Sequence, residues 1–146
     1  MKAAIIYTSI TGNTEALAEE IYQGMISKGI EVDFIPVDDL DYDMLPSYDV
    51  IAIGTYTWDN GDLPMEMEDL FTAFEEMDMK HVTTGVFGTG DSFYPYYCGA
   101  VNLFRDMLFV HTNLAVTLKV ELTPQISDSK RCEKFCDRLM GQLVTA

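Results

Sequence analysis

Short apolar runs and helix-spaced apolar positions alternate along this chain. Five runs read as strands: "KAAIIYT" from Lys2, "EVDFIPV" from Glu31, "YDVIAIGTY" from Tyr48, "HVTTGVFGTG" from His81 and "LAVTLKVEL" from Leu114. Between the first two, residues 13 to 28 place Leu17, Ile21 and Met25 at helical spacing, with Ala18, Tyr22 and Ile26 beside them. Residues 64 to 77 do the same with Met67, Leu70, Phe71 and Phe74, and residues 98 to 111 with Val101, Phe104 and Leu108. A last helix is predicted from about Asp128 to Val144.

Strands that are apolar on both faces and alternate with helices imply an α/β protein, its parallel sheet covered by helices on both sides. Right-handed crossovers leave few topologies, and five strands fit the doubly wound order 2-1-3-4-5. A ligand site then lies beyond the carboxyl ends of the strands. Residues 1–146 show no repeat, low-complexity segment or linker and read as one domain. The acidic stretch "DDLDYDMLPSYD" reads as a solvated connection between the second and third strands.

Nine basic residues against 24 acidic ones give a formal charge of −15. That balance argues against nucleic acid and anionic membranes as partners. It reads either as a solubility device or as a face that steers toward basic proteins. No apolar run approaches the roughly 18 residues of a membrane span, and "MKAAIIYTSI" has neither the length nor the cleavage site of a signal peptide. The expectation is a soluble, cytoplasmic protein. Cys98, Cys132 and Cys136 form no CxxC pair and fit neither a secreted disulfide framework nor a common zinc site. Cys132 and Cys136, four apart in the last helix, read as small apolar residues on its buried face.

Three segments should meet at the carboxyl edge of the sheet: "TSITGNT", "GTYTWDNGD" and "GTGDSFYPYYCG". The first joins a strand to a helix start and carries Ser9, Thr11, Gly12, Asn13 and Thr14. Free amides and the positive helix end suit a phosphate there, although the same residues also cap ordinary helices. The lysine of a Walker loop is missing, and so is the GxGxxG fingerprint. The second segment places Trp58, the only tryptophan, among turn residues, where it either covers the sheet edge or offers a platform to a flat ring. The third packs Phe93, Tyr94, Tyr96 and Tyr97 around Pro95, which stiffens the turn. Neutral donors beside aromatic platforms suit a phosphorylated planar heteroaromatic.

These motifs resemble those of the bacterial short-chain flavodoxins, and the resemblance covers essentially the whole chain. "SITGNT" is similar to the family's phosphate loop, "TWDN" to its first flavin loop, and Gly90, Asp91, Ser92, Tyr94, Tyr97, Cys98 and Gly99 to its second. The resemblance implies the flavodoxin-like fold and non-covalent FMN. Ser9, Ile10, Thr11, Gly12, Asn13 and Thr14 would hold the phosphate, Trp58 would cover one ring face and Tyr94 the other. The rest of the implied site is Thr55, Tyr56, Thr57, Asp59, Asn60, Gly61, Thr89, Gly90, Asp91, Tyr97 and Cys98, with backbone groups near Asp59, Asn60, Gly90, Asp91 and Cys98 bonding the ring's polar edge. Direct passage from "LAVTLKVEL" into the last helix fits the short form, which lacks an insertion in the last strand.

The function so implied is low-potential, single-electron transfer between a reductase and acceptor enzymes, with no catalytic side chain and no metal. Partners would present basic faces to a monomer in transient complexes, with Phe93, Pro95 and Met65 around the exposed flavin edge. Asp59 stands where many relatives have glycine, which implies a less stabilised one-electron-reduced flavin. A phospho-receiver domain is set aside because Tyr7, Thr8 and Ser9 stand where it needs clustered acids. A flavin enzyme acting on a small substrate, or an activator dedicated to one enzyme, remains the alternative.

Overall fold

The computed structural model describes residues 1–58, 61–92 and 97–144. Five strands, β1 (Ala3–Tyr7), β2 (Val32–Pro36), β3 (Val50–Tyr56), β4 (Thr83–Gly90) and β5 (Asn113–Glu121), pair in the order β2-β1-β3-β4-β5, every pair parallel. Four helices connect or follow them: α1 (Asn13–Ile26), α2 (Glu68–Glu76), α3 (Gly99–His111) and α4 (Ser129–Val144). Successive side chains of a strand point to opposite faces, and the core divides accordingly. Ala3, Ile5, Val50, Ala52 and Phe87 pack with Leu17 and Ile21 of α1 and with Phe135 and Leu139 of α4. Ala4, Ile6, Ile51, Ile53 and Val86 pack with Leu70 and Phe74 of α2 and with Val101, Phe104 and Leu108 of α3. The doubly wound expectation holds.

Cys132 and Cys136 are buried free thiols on the α4 face that meets the sheet. The acidic connection between β2 and β3 is more than solvated chain. It forms 3-10 turns at Val37–Asp39 and Tyr42–Ser47, and it sinks Val37, Leu45 and Tyr48 into the core. Its five aspartates stay exposed while those three side chains join the core cluster of Ile6, Ile53 and Leu70. Tyr48 also donates to Asp33 Oδ2 at 2.7 Å, and Lys2 Nζ lies 4.9 Å from the centre of its ring. The segment from Pro64 begins as a 3-10 turn, Met65–Met67, before α2 takes up the helical register.

Candidate functional site

In this parallel sheet the order of winding reverses between β1 and β3, and the connections leaving these two strands diverge there. The β1–α1 loop is anchored at its first residue. Thr8 N–H donates to the Gly54 carbonyl at 3.0 Å, and Thr8 Oγ1 donates to Glu66 Oε2 at 2.8 Å. Beyond it Ile10, Thr11 and Gly12 are exposed. Gly12, the N-cap of α1, has φ 93, and the helix has no side-chain cap. Ser9 Oγ accepts from Gly12 N–H at 3.2 Å and closes the loop on itself. No side chain caps the first turn of α1, which leaves its free amides available to an anion.

Thr14 is set differently from its neighbours. Its hydroxyl is buried and lies 2.7 Å from Thr89 Oγ1, so it ties α1 to the end of β4. Thr55 is buried as well, with its hydroxyl donating to the Tyr56 carbonyl at 2.7 Å. Both shape the floor of the site.

Backbone hydrogen bonds join the described ends of the second loop. Trp58 and Asp62 exchange both backbone hydrogen bonds at 2.9 Å, and Gly61 N–H reaches the Trp58 carbonyl at 3.1 Å. Gly61 has φ 93, a value that glycine adopts without strain. Trp58 is 52% exposed, with the Tyr56 ring set edge-on 6.4 Å away. A solvent-facing indole held by a closed turn is a platform rather than a core residue. Asp59 and Asn60 lie outside the described residues, as do Phe93, Tyr94, Pro95 and Tyr96 of the third loop.

The described ends of the third loop are firmly held. The Gly90 carbonyl accepts from Leu122 N–H at 2.8 Å, and Ser92 Oγ donates to Glu121. Cys98, in the left-handed region at φ 51, tucks its thiol under the strand beside the Gly88 carbonyl. Burial pushes that thiol up to about 11, and burial also takes the Tyr97 phenol up to about 12.

Glu66 is the residue that the motifs do not reveal. Its Oε2 accepts from Thr8 Oγ1 and from Tyr56 OH, both at 2.8 Å, so one carboxylate joins the ends of β1 and β3 at the reversal point. Burial would raise its pKa, but bonds from its own backbone, Thr8 and Tyr56 outweigh this and lower it. Beside it runs a groove of about 720 Å³, lined by Ile10, Trp58, Met65 and Leu103 and bordered by Asp62, Glu66 and Glu68. A larger depression of about 1020 Å³ between α1 and α4 lies away from all three loops, and Glu19, Glu20 and Glu133 border it.

An open doubly wound sheet with an uncapped, cation-free helix start beside an aromatic platform defines a binder of a phosphorylated planar cofactor. A flavodoxin family model matches residues 5–132. Probable flavodoxin 1 of Bacillus subtilis is 42% identical over 138 residues, 92% of this chain and 87% of that protein. The flavodoxin of Maridesulfovibrio salexigens is 38% identical over 112 residues, covering 73% of this chain and 75% of its own length. Among solved structures, oxidised flavodoxin 1 of Bacillus cereus superposes with a TM-score of 0.89 at 34% identity, covering 97% of this chain and 98% of that one. The chain belongs to the flavodoxin family, whose members are electron-transfer proteins that bind FMN. The loops fit that cofactor: neutral donors face outward at α1, and Trp58 offers a half-exposed ring.

The titrating side chains give an alkaline expectation. Burial raises the Tyr48 and Tyr97 phenols to about 12, Cys132 to about 12, and Cys98 and Cys136 to about 11. Groups held protonated in the fold stabilise it fully below their ordinary values, and that stabilisation is lost as pH rises through the shifted ones. Denaturation midpoints should therefore fall across pH 9 to 12. Constant midpoints through that window would contradict the burial argument.

Proposed function

We propose that this chain is a low-potential, single-electron carrier that transforms no substrate itself and works in the cytoplasm as a monomer. The observation that carries the reading is the open, uncapped start of α1 set beside the half-exposed Trp58 at the sheet's reversal point. When bound, FMN supplies the redox chemistry. Ser9, Thr11 and the backbone amides from Gly12 onward would hold its phosphate, with Ile10 and Asn13 at the rim and Thr14 fixing the helix through its bond to Thr89. Trp58 would stack on one side of the ring, and Thr89, Gly90, Asp91, Tyr97 and Cys98 would border the other. Backbone groups near Gly90, Asp91 and Cys98 would bond the ring's polar edge.

Asp62, Glu66 and Glu68 beside the slot, in a chain of charge −15, oppose any further negative charge placed there. That opposition makes the protein a low-potential donor. The same carboxylates, with Met65 (82% exposed), Ile10 and Leu103 between them, form an acidic rim around an apolar floor. Such a face suits brief docking to basic surfaces of a reductase and of acceptor enzymes.

Titration of apoprotein with FMN, followed by electron transfer from a flavodoxin reductase, tests this reading. Stoichiometric binding is expected, together with transfer rates that fall as salt rises. Met65→Ala should slow transfer without changing FMN affinity. Rates indifferent to salt and to Met65→Ala would remove this face from docking, and steady turnover of a quinone would make the protein an enzyme instead.

A further inference from the structure

Gly99, the first residue of α3, lies with its backbone against the backbone of Gly61 in the neighbouring loop. A Cβ on Gly99 would stand 2.7 Å from Gly61 Cα, 2.8 Å from its carbonyl oxygen and 3.2 Å from its carbonyl carbon. All three are backbone atoms, so no side chain can rotate away. Gly61 itself sits at φ 93, so the contact is made of glycine on both sides. One residue further on, Ala100 N–H donates to Thr57 Oγ1 at 3.1 Å. The first amides of a helix usually take a cap from the residue preceding it. Cys98, at the N-cap of α3, gives none. The helix that follows the third loop is capped by the second.

We propose that Gly61, Gly99 and the Thr57–Ala100 hydrogen bond form a clasp that sets the spacing between the two flavin loops. Gly99 and Thr57 are then positioning residues for the ring, separate from those that hold the phosphate. The clasp rests on the reading that the ring lies between these loops. Trp58–Asp62 is closed by its own backbone pair, so a displacement at Gly61 carries Trp58 with it. Thr57 adjoins Trp58 on one side, while Gly99 follows Tyr97 and Cys98 on the other. Bringing a 2.7 Å contact to the ordinary 3.4 Å requires an opening of about 0.7 Å. A gap of about 0.5–1 Å forfeits a quarter to a half of the dispersion attraction between packed atoms. The phosphate loop is fixed elsewhere, by Thr8–Glu66 and Thr14–Thr89.

The test compares FMN with riboflavin, which has the same ring and no phosphate. Fluorescence quenching gives the affinity of each for apoprotein of the wild type, Thr57→Val, Thr57→Ser and Gly99→Ala, with melting of the apoproteins as the check on folding. Thr57→Val should weaken both flavins by the same factor, about fivefold for one neutral hydrogen bond, and Thr57→Ser should restore them. Gly99→Ala should weaken both by about tenfold or more, since backbone must move. The FMN-to-riboflavin ratio stays at its wild-type value throughout. Folded variants that bind riboflavin like the wild type, or that lose affinity for FMN alone, overturn the clasp. If Gly99→Ala fails to fold, the Thr57 pair decides. A wild-type apoprotein that takes up no FMN overturns the cofactor assignment instead, and the clasp with it.

Discussion

Gly88→Ala is expected to lower stability by about 3 kcal/mol, the upper part of the usual range for overpacking. For a chain of this size that corresponds to a fall of roughly 6–12 °C in melting temperature. Gly88 lies inside β4, between Thr55 of β3 and Lys119 of β5. A methyl group there would stand 2.3 Å from Val101 Cγ2 and 2.5 Å from the Thr55 carbonyl oxygen. Val101 can turn a little, but the carbonyl belongs to the sheet ladder, so β3 or β4 must shift. Thr55 lies under the second loop and Val101 is in the first turn of α3, so FMN affinity should fall with stability. Gly141→Ala is the matched control: it sits in α4 with nothing within 4 Å of a new Cβ. That change should raise stability by about 0.5–1 kcal/mol. Thermal melting of the two apoproteins reads both signs, and a Gly88→Ala protein as stable as the wild type would show that the sheet yields more easily than this packing allows.

Glu66→Ala should cost about 1–3 kcal/mol, because two hydroxyls that share one carboxylate oxygen lose their acceptor. Thr8 leads into the phosphate loop and Tyr56 leads into Trp58, so FMN binding should weaken too. Glu66→Gln keeps an acceptor and removes the charge, and it should fall between wild type and Ala. The pH dependence separates the two contributions. The carboxyl is lowered in the fold, so its stabilisation is present above its ordinary value of 4.5 and is lost as pH falls through the lowered one. Acid denaturation of Glu66→Gln should lack that contribution. Equal acid sensitivity in wild type and Glu66→Gln would show that the charge on Glu66 does not hold these strand ends together.

The parts of this structure that sequence reveals are those in which one residue type has one physical reason to be present. The inner strands β1, β3 and β4, buried on both faces, must be nearly continuous apolar runs, whereas the edge strands β2 and β5 are only partly buried and mix polar residues into theirs. Trp58 stood out because a large ring among turn residues has no core to fill. Leu45 did not stand out: five nearby aspartates mask the periodicity, and 3-10 turns impose none that a short stretch can display. Glu66 was hidden for another reason. Its partners lie 58 and 10 residues away, and nothing in "PMEMED" separates it from the solvated acids beside it. Thr57 and Thr14 were legible as hydroxyls near the ligand but not in their direction, since only the assembled sheet shows that they face Ala100 and Thr89.

The bond between Thr14 and Thr89 has a consequence for how the protein is made. It spans 75 residues, and the Thr8–Glu66 and Thr57–Ala100 bonds span 58 and 43. Each of these ties joins segments that leave the ribosome far apart in time. An emerging chain holding only β1, α1, β2 and β3 has the phosphate loop's sequence without its floor, because Thr89 has not arrived. Cofactor capture is therefore expected late in synthesis, after β4 and the first turn of α3 have emerged. Chains truncated before that point should leave FMN in solution however well their first helix forms.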